Sequence, residues 1–190
     1  MIAVSKGFVI EELYFGEFVL ERGSYLSFDF NGLRDMQVED TIYEIFSGVK
    51  HIDELVLNEF LVPVILPSPK PGIAIFSQRK AIKFLVDGGL TEIEAKEYLK
   101  TLDIPQNTNI YQLGATERVL LALEIALAKS KNIMICAADL DYNGRKRVEA
   151  RIKPEITEGV LIEINYASTR GRTYLMGGHF PHKKIEVIPR

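Results

Sequence analysis

The sequence holds a single cysteine, Cys136, in 190 residues, so no disulfide can close within the chain and a reducing compartment suits it. It also lacks any long apolar run. The longest, near Phe60 to Leu66, is interrupted by Pro63 and is far too short to cross a bilayer. The first residues do not have the basic, apolar and small-residue layout of a secretory signal. A cytoplasmic protein with no direct membrane insertion is expected. Positive charge is not in excess either: 23 Lys and Arg against 26 Asp and Glu leave a net charge of −3. That balance gives no electrostatic reason to expect nucleic acid or an anionic membrane as partner. Internal repeats and low-complexity stretches are absent. What remains is 47% hydrophobic and 26% charged, a composition for one compact domain spanning residues 1–190 around one core, with a small excursion.

The most informative stretch runs from Tyr111 to Arg145. Between Glu117 and Ser130 nearly every position is apolar or Ala, which predicts a helix buried almost all round. Ile133 to Ala138 is then a short unalternating apolar run, the pattern of a strand covered on both faces in a parallel sheet. Upstream, Ile2 to Val4, Phe8 to Ile10, Phe18 to Leu20 and Tyr25 to Phe30 alternate and are punctuated by Gly7, Gly16 and Gly23. This predicts a meander of short strands, the last entering the main sheet. Asp35 to Gly48 has helical spacing. The stretch 51–66 is left open between strand and helix, and 67–72 is loop. Ile73 to Phe76 reads as a strand, and helices follow over about Lys80 to Val86 and Glu92 to Leu102, the second opened by a Thr91/Glu94 capping box. After Arg145 come a short charged helix stopping before Pro154 and three strand-like runs, Gly159 to Asn165, Thr173 to Met176 and Ile185 to Ile188. Strands interleaved with helices behind an antiparallel meander predict an α/β fold with a mostly parallel sheet.

In order and spacing, over nearly the whole chain, these pieces resemble the nucleotide-binding domain of the ATP-binding cassette (ABC) family. Ile75-Phe76-Ser77-Gln78 resembles the Q-loop. Leu113-Gly114-Ala115-Thr116-Glu117, followed by Arg118-Val119 and the buried helix, resembles the LSGGE signature. Ile133 to Cys136 occupies the Walker B place, Leu140-Asp141-Tyr142-Asn143-Gly144-Arg145 resembles the D-loop, and Val160 to Asn165 sits where the switch strand ends in His. Tyr14-Phe15-Gly16 resembles the aromatic A-loop that stacks on adenine. The resemblance implies a P-loop NTPase-like α/β fold, with an N-terminal antiparallel meander and a shortened helical subdomain over about 79–112.

The departures from the family pattern concern phosphate. No GxxxxGK[ST] occurs in the chain; the Walker A place reads Phe30-Asn31-Gly32-Leu33-Arg34-Asp35-Met36-Gln37. Asp29 and Asp35 would set negative charge beside a phosphate, and Arg34 is the one cation there to replace the Lys. Ala137-Ala138 stand where the Walker B acids belong, with Asp139 as a shifted remnant. Gly114 replaces the signature Ser, Ala115 and Thr116 add Cβ atoms where Gly lets backbones approach, and Asn165, or else Tyr166, stands in for the switch His. Losing three charge-assisted contacts at roughly 2 kcal/mol each removes about 6 kcal/mol, or about four decades of affinity.

Plainer readings stand beside each of these. Tyr14 and Phe15 also suit strand packing, and Gln78 suits an ordinary strand end. Thr116 and Glu117 also make a good helix start. Asp139 and Asp141 also suit a tight turn. His179 and His182 have a spacing a metal could use, without a third ligand in view. The expectation is a non-catalytic, degenerate ABC ATPase-like protein that binds no cofactor and pairs with a competent ABC-type ATPase subunit, or self-associates, or scaffolds a complex. Asp141 and Arg145 of the D-loop-like turn would lie at the interface. The alternative is an atypical ATPase holding ATP and Mg²⁺ with Arg34 and Asp139.

Overall fold

The computed structural model describes residues 1–33, 35–67, 79–166, 174–176 and 180–189. The chain divides into two compact units, Met1–Pro63 with Ser130–Arg190, and Val64–Lys129.

The first unit begins with a hairpin, β1 (Ala3–Ile10) and β2 (Leu13–Leu20). Gly7 and Gly16 lie inside these strands rather than between shorter ones. The turn is made instead at Glu11, whose φ is 56°. Gly7 has φ 85°, and the inward alternation shifts there: Ala3 and Ser5 face the core before it, Phe8 and Ile10 after it. A Cβ at Gly7 would stand 2.4 Å from the Tyr14 hydroxyl, so glycine is required both for its backbone angle and for the ring lying over it.

After β3 (Ser24–Asp29) comes helix α1 (Met36–Phe46). The open stretch resolves into two short strands, β4 (Leu55–Leu57) and β5 (Val62–Pro63). Beyond the second unit follow β6 (Asn132–Cys136), α5 (Tyr142–Ile156), β7 (Val160–Asn165), β8 (His182–Glu186) and β9 (Ile188–Pro189). Among the described residues the strands form an antiparallel sheet in the order β4-β1-β2-β9 and a parallel sheet in the order β5-β6-β7-β3-β8. β3, the last strand of the expected meander, does enter the main sheet, between β7 and β8.

The core of this unit lies where the inner face of the antiparallel sheet and α1 meet one face of the parallel sheet. α1 contributes Val38, Ile42, Ile45 and Phe46, spaced as one helix face. Six phenylalanines fill the centre: Phe8 stacks on Phe15 at 4.8 Å, and Phe28 meets Phe15, Phe18 and Phe46 at 5.2–5.8 Å between centroids. Phe30 approaches Phe15 edge-on.

Two expectations in this unit are corrected. The charged helix starts at Tyr142, not Lys146, and runs through Pro154 to Ile156. Proline removes one intrahelical bond and crowds the preceding turn, but Ile152 and Ile156 on either side of it are fully buried, and that burial holds the last turn in place. Residues 174–176 are not a strand. The expected strand at Ile73 to Phe76 lies outside the described residues, as does Thr173.

The second unit holds α2 (Ala81–Asp87), α3 (Glu92–Thr101) and α4 (Ala115–Leu127), with a 3-10 turn at Ile110–Gln112. The Thr91/Glu94 capping box is present on both sides of the exchange. α4 buries Val119, Leu120, Leu121, Ala122, Leu123 and Ala126, and the Tyr98 hydroxyl of α3 donates to the Leu120 carbonyl at 3.1 Å.

Candidate functional site

In a parallel α/β sheet the carboxyl ends of the strands are where ligands collect. Here β3 and β7 end side by side, with Asp29 in register with Asn165 and both buried. Asp29 accepts from the Tyr174 hydroxyl at 2.9 Å, and the Asn165 carbonyl accepts from the Phe30 amide at 2.9 Å. The chain then turns at Asn31 (φ 51°) and Gly32 (φ 87°), both exposed. The turn closes when the Leu33 amide donates to the Phe30 carbonyl, and α1 begins three residues later.

The amino end of α1 is occupied by the chain itself. Asp35 is its N-cap, and one carboxylate oxygen accepts from the amides of Gln37 at 2.8 Å and Val38 at 3.3 Å. These free amides and the helix dipole are what would otherwise attract an anion. The neighbouring space is filled as well. The hydroxyls of Tyr43 and Tyr166 each donate at 3.0 Å to one of the two oxygens of Glu39, one turn into α1. Burial, reinforced by Glu39, pushes the Tyr43 hydroxyl up, so it stays a donor.

β6 ends with Cys136 partly buried and Ala137 fully buried, and no carboxylate projects from the strand end. Asp139 is exposed in the following turn. Asp141 is the N-cap of α5, accepting from the Gly144 amide at 2.6 Å, so the D-loop-like stretch is the first turn of a helix.

Arg145, expected at an interface, is turned inward. Its guanidinium donates to the Glu163 carboxylate at 3.0 Å and to the Ala137 carbonyl at 2.8 Å. Glu163 is fully buried on β7, and also accepts from the Tyr25 hydroxyl and from the Leu175 amide at 2.9 Å. Burial pushes its carboxyl up, against the pull of these donors. Burial followed by Glu163 pushes the Tyr25 hydroxyl up as well. Glu163 interrupts the apolar run Val160-Leu161-Ile162-Glu163-Ile164, a signal that sequence reading passed over; the Glu39 cluster carried no such signal.

Gly114, Thr116 and Glu117 lie in the second unit. Gly114 is the N-cap of α4, so Thr116 sits inside the first turn rather than capping it. Glu117 curls back: its Oε2 stands 2.6 Å from where a Cβ on Gly114 would be, bringing the carboxylate to the helix amino end. Tyr14 lies across Gly7 of its own sheet, as strand packing would have it. Arg34, Gln78 and His179 lie outside the described residues, and among the described residues no group of three or more His, Cys, Asp or Glu could hold a metal ion. No described helix is long and apolar enough to cross a membrane.

His182 is half-buried, with its ring stacked on Tyr25 at 4.1 Å and Nε2 3.1 Å from the Ser27 hydroxyl. Burial, then the charge of Lys184, lowers its pKa to about 4 from an ordinary 6.5. The unfolded chain therefore takes up a proton below pH 6.5 that the folded chain refuses until about pH 4. Stability present above pH 6.5 should decline as pH falls through this window. Allowing for the partial exposure of the ring, the loss is of order 1–2 kcal/mol. Urea midpoints measured across the window should flatten in a His182→Gln variant; an unchanged slope would contradict this assignment.

No protein-family model matches the chain, and no curated protein matches it in sequence. Solved structures do match. A model of ribosome-bound archaeal Pelota and ABCE1 aligns over 100% of this chain at TM-score 0.59 and 14% identity. A bacterial Atm1-family ABC exporter with ATP bound aligns over 86% at 0.57 and 13%, and an RNase-L inhibitor over 100% at 0.55 and 15%. The fold is that of an ABC ATPase domain. At such identity the likeness is one of fold, and this chain spans only 34–39% of the length of those chains.

Proposed function

We propose that this is a non-catalytic ABC ATPase-like protein that pairs with a competent ATPase subunit or scaffolds a complex. The observation that carries the proposal is Asp35: the chain's own carboxylate holds the amides at the head of α1 where a phosphate would bind. A phosphate brought there meets a like charge, at about 4 kcal/mol per unit charge at about 4 Å in a surface-like dielectric. Glu117 brings a second carboxylate to the head of α4. The carboxyl ends of β3, β6 and β7 hold Asp29 (bonded to the Tyr174 hydroxyl), Cys136 and Asn165, with Ala137 and Ala138 following β6; the carboxylate at the end of β8, Glu186, is exposed. An ATPase reading would rest on Arg34 and on Asp139, and the latter stands exposed in a turn.

The experiment is a thermal melt with millimolar ATP, with and without Mg²⁺. A ligand at about 100 times its Kd stabilises by about 2.7 kcal/mol, a shift of several degrees in a protein of this size. The expected shift is under about 1 °C. A Mg²⁺-dependent shift of several degrees, or turnover abolished by Asp139→Ala, would establish the enzyme reading instead.

A further inference from the structure

The outer face of the antiparallel sheet is apolar where a solvated face would be polar. Its register sets Val56, Val4 and Val19 in one row across β4, β1 and β2, and Val9, Tyr14 and Ile188 in another across β1, β2 and β9. Val19 is 49% exposed, Val56 56% and Ile188 53%. Between the two rows lies a charged row: Lys6 on β1 stands directly opposite Glu17 on β2, both exposed, with exposed Glu54 on the other side of Lys6, its carbonyl accepting from the Lys6 amide.

We propose that this face binds the same face of a second copy of the chain, through a two-fold axis parallel to the strands. The charge layout selects both the occupant and the axis. Rotation about an axis along the strands exchanges the β1 and β2 columns, so Lys6 of each copy meets Glu17 of the other, Val4 meets Val19 and Val9 meets Tyr14. An axis across the strands would set Lys6 on Lys6 and Glu17 on Glu17, a repulsive arrangement. An isologous contact of this kind closes as a dimer. β1 and β2, of 8 residues each, with the short β4 and β9 at about 4.8 Å spacing, present roughly 350 Å² per copy. That is less than half of a standard interface, so the dimer is weak. This inference does not depend on whether nucleotide binds.

Sedimentation of the whole chain over a concentration series tests it. Wild type should show a concentration-dependent monomer–dimer equilibrium. Lys6→Glu and Glu17→Lys should each weaken self-association by at least about tenfold, with melts confirming that each variant is folded. Mixed together, the two variants should regain association. One variant then carries glutamate at both positions and the other lysine at both, so every charge meets its opposite across the interface while the pair within each copy stays like-charged. That recovery separates contact between copies from any effect inside one sheet. A strictly monomeric wild type at millimolar concentration would overturn the proposal and leave the face to an unlike protein. A dimer indifferent to single reversals, or variants that fail to recover on mixing, would overturn it too.

Discussion

Arg145→Ala should destabilise the protein by about 3–5 kcal/mol, the usual cost of stranding one member of a buried ion pair. At this chain length the loss corresponds to a melting temperature lower by roughly 10 °C. The guanidinium serves both Glu163 and the Ala137 carbonyl. Without it, a carboxylate with no exposed surface keeps only the Tyr25 hydroxyl and the Leu175 amide. The effect should belong to the stranded group rather than to lost attraction. Arg145→Met combined with Glu163→Leu should therefore recover most of the stability, since well-packed apolar pairs replace buried ion pairs at little cost. Thermal melts of the single and double variants read this directly. A single variant within about 1 kcal/mol of wild type would mean that Glu163 is not held as the structure shows.

Phe28→Ala should cost about 3–5 kcal/mol, read as a lower urea midpoint at unchanged slope. Phe28 is fully buried at the meeting of three layers: its ring touches Phe15 and Phe18 of the antiparallel sheet and Phe46 of α1. Truncation removes the side chain's transfer energy and leaves a cavity bounded by rings that cannot all move inward. Phe28→Leu keeps most of the volume and should cost less than half as much. Equal losses for the two variants would mean that the aromatic geometry, rather than filled volume, holds the layers together.

Much of the architecture was legible because it rests on local patterns. The continuous apolar run Ile133 to Cys136 marks β6, the spacing Val38-Ile42-Ile45 marks α1, and Thr91 with Glu94 fixes the start of α3. Glycine misled at Gly7 and Gly16, since a glycine can punctuate a strand or sit within one; at Gly7 the choice goes with a ring, Tyr14, supplied by the partner strand. Pro154 misled for a similar reason: the rule that proline ends a helix is overridden by burial of Ile152 and Ile156, which sequence alone does not reveal. The stretches that depart from the family pattern, Phe30 to Gln37 and Leu113 to Glu117, were legible in the sequence. Their physical occupation was not. That Asp35 caps α1 follows from a turn geometry set by Asn31 and Gly32, and that Glu117 folds onto Gly114 is a rotamer choice. Arg145 was placed at an interface by the D-loop resemblance, and no local pattern points to its buried partner eighteen positions later.

The order of the parallel sheet carries a consequence for the making of the protein. β3 is bonded on one side to β7 and on the other to β8, and Tyr25 and Glu163 are 138 positions apart. The β1–β2 hairpin can close as soon as it leaves the ribosome, but β3 has no neighbour in its own sheet until β7, the first of those distant strands, has been synthesised. During that interval Phe8, Phe15, Phe18 and Phe28 have one another and α1 to cover them but no parallel sheet, and at about 5–20 residues per second it lasts of the order of ten seconds. Long-range parallel pairing is slow to form, so the phenylalanine cluster that anchors the finished core is, during synthesis, the segment most in need of a chaperone.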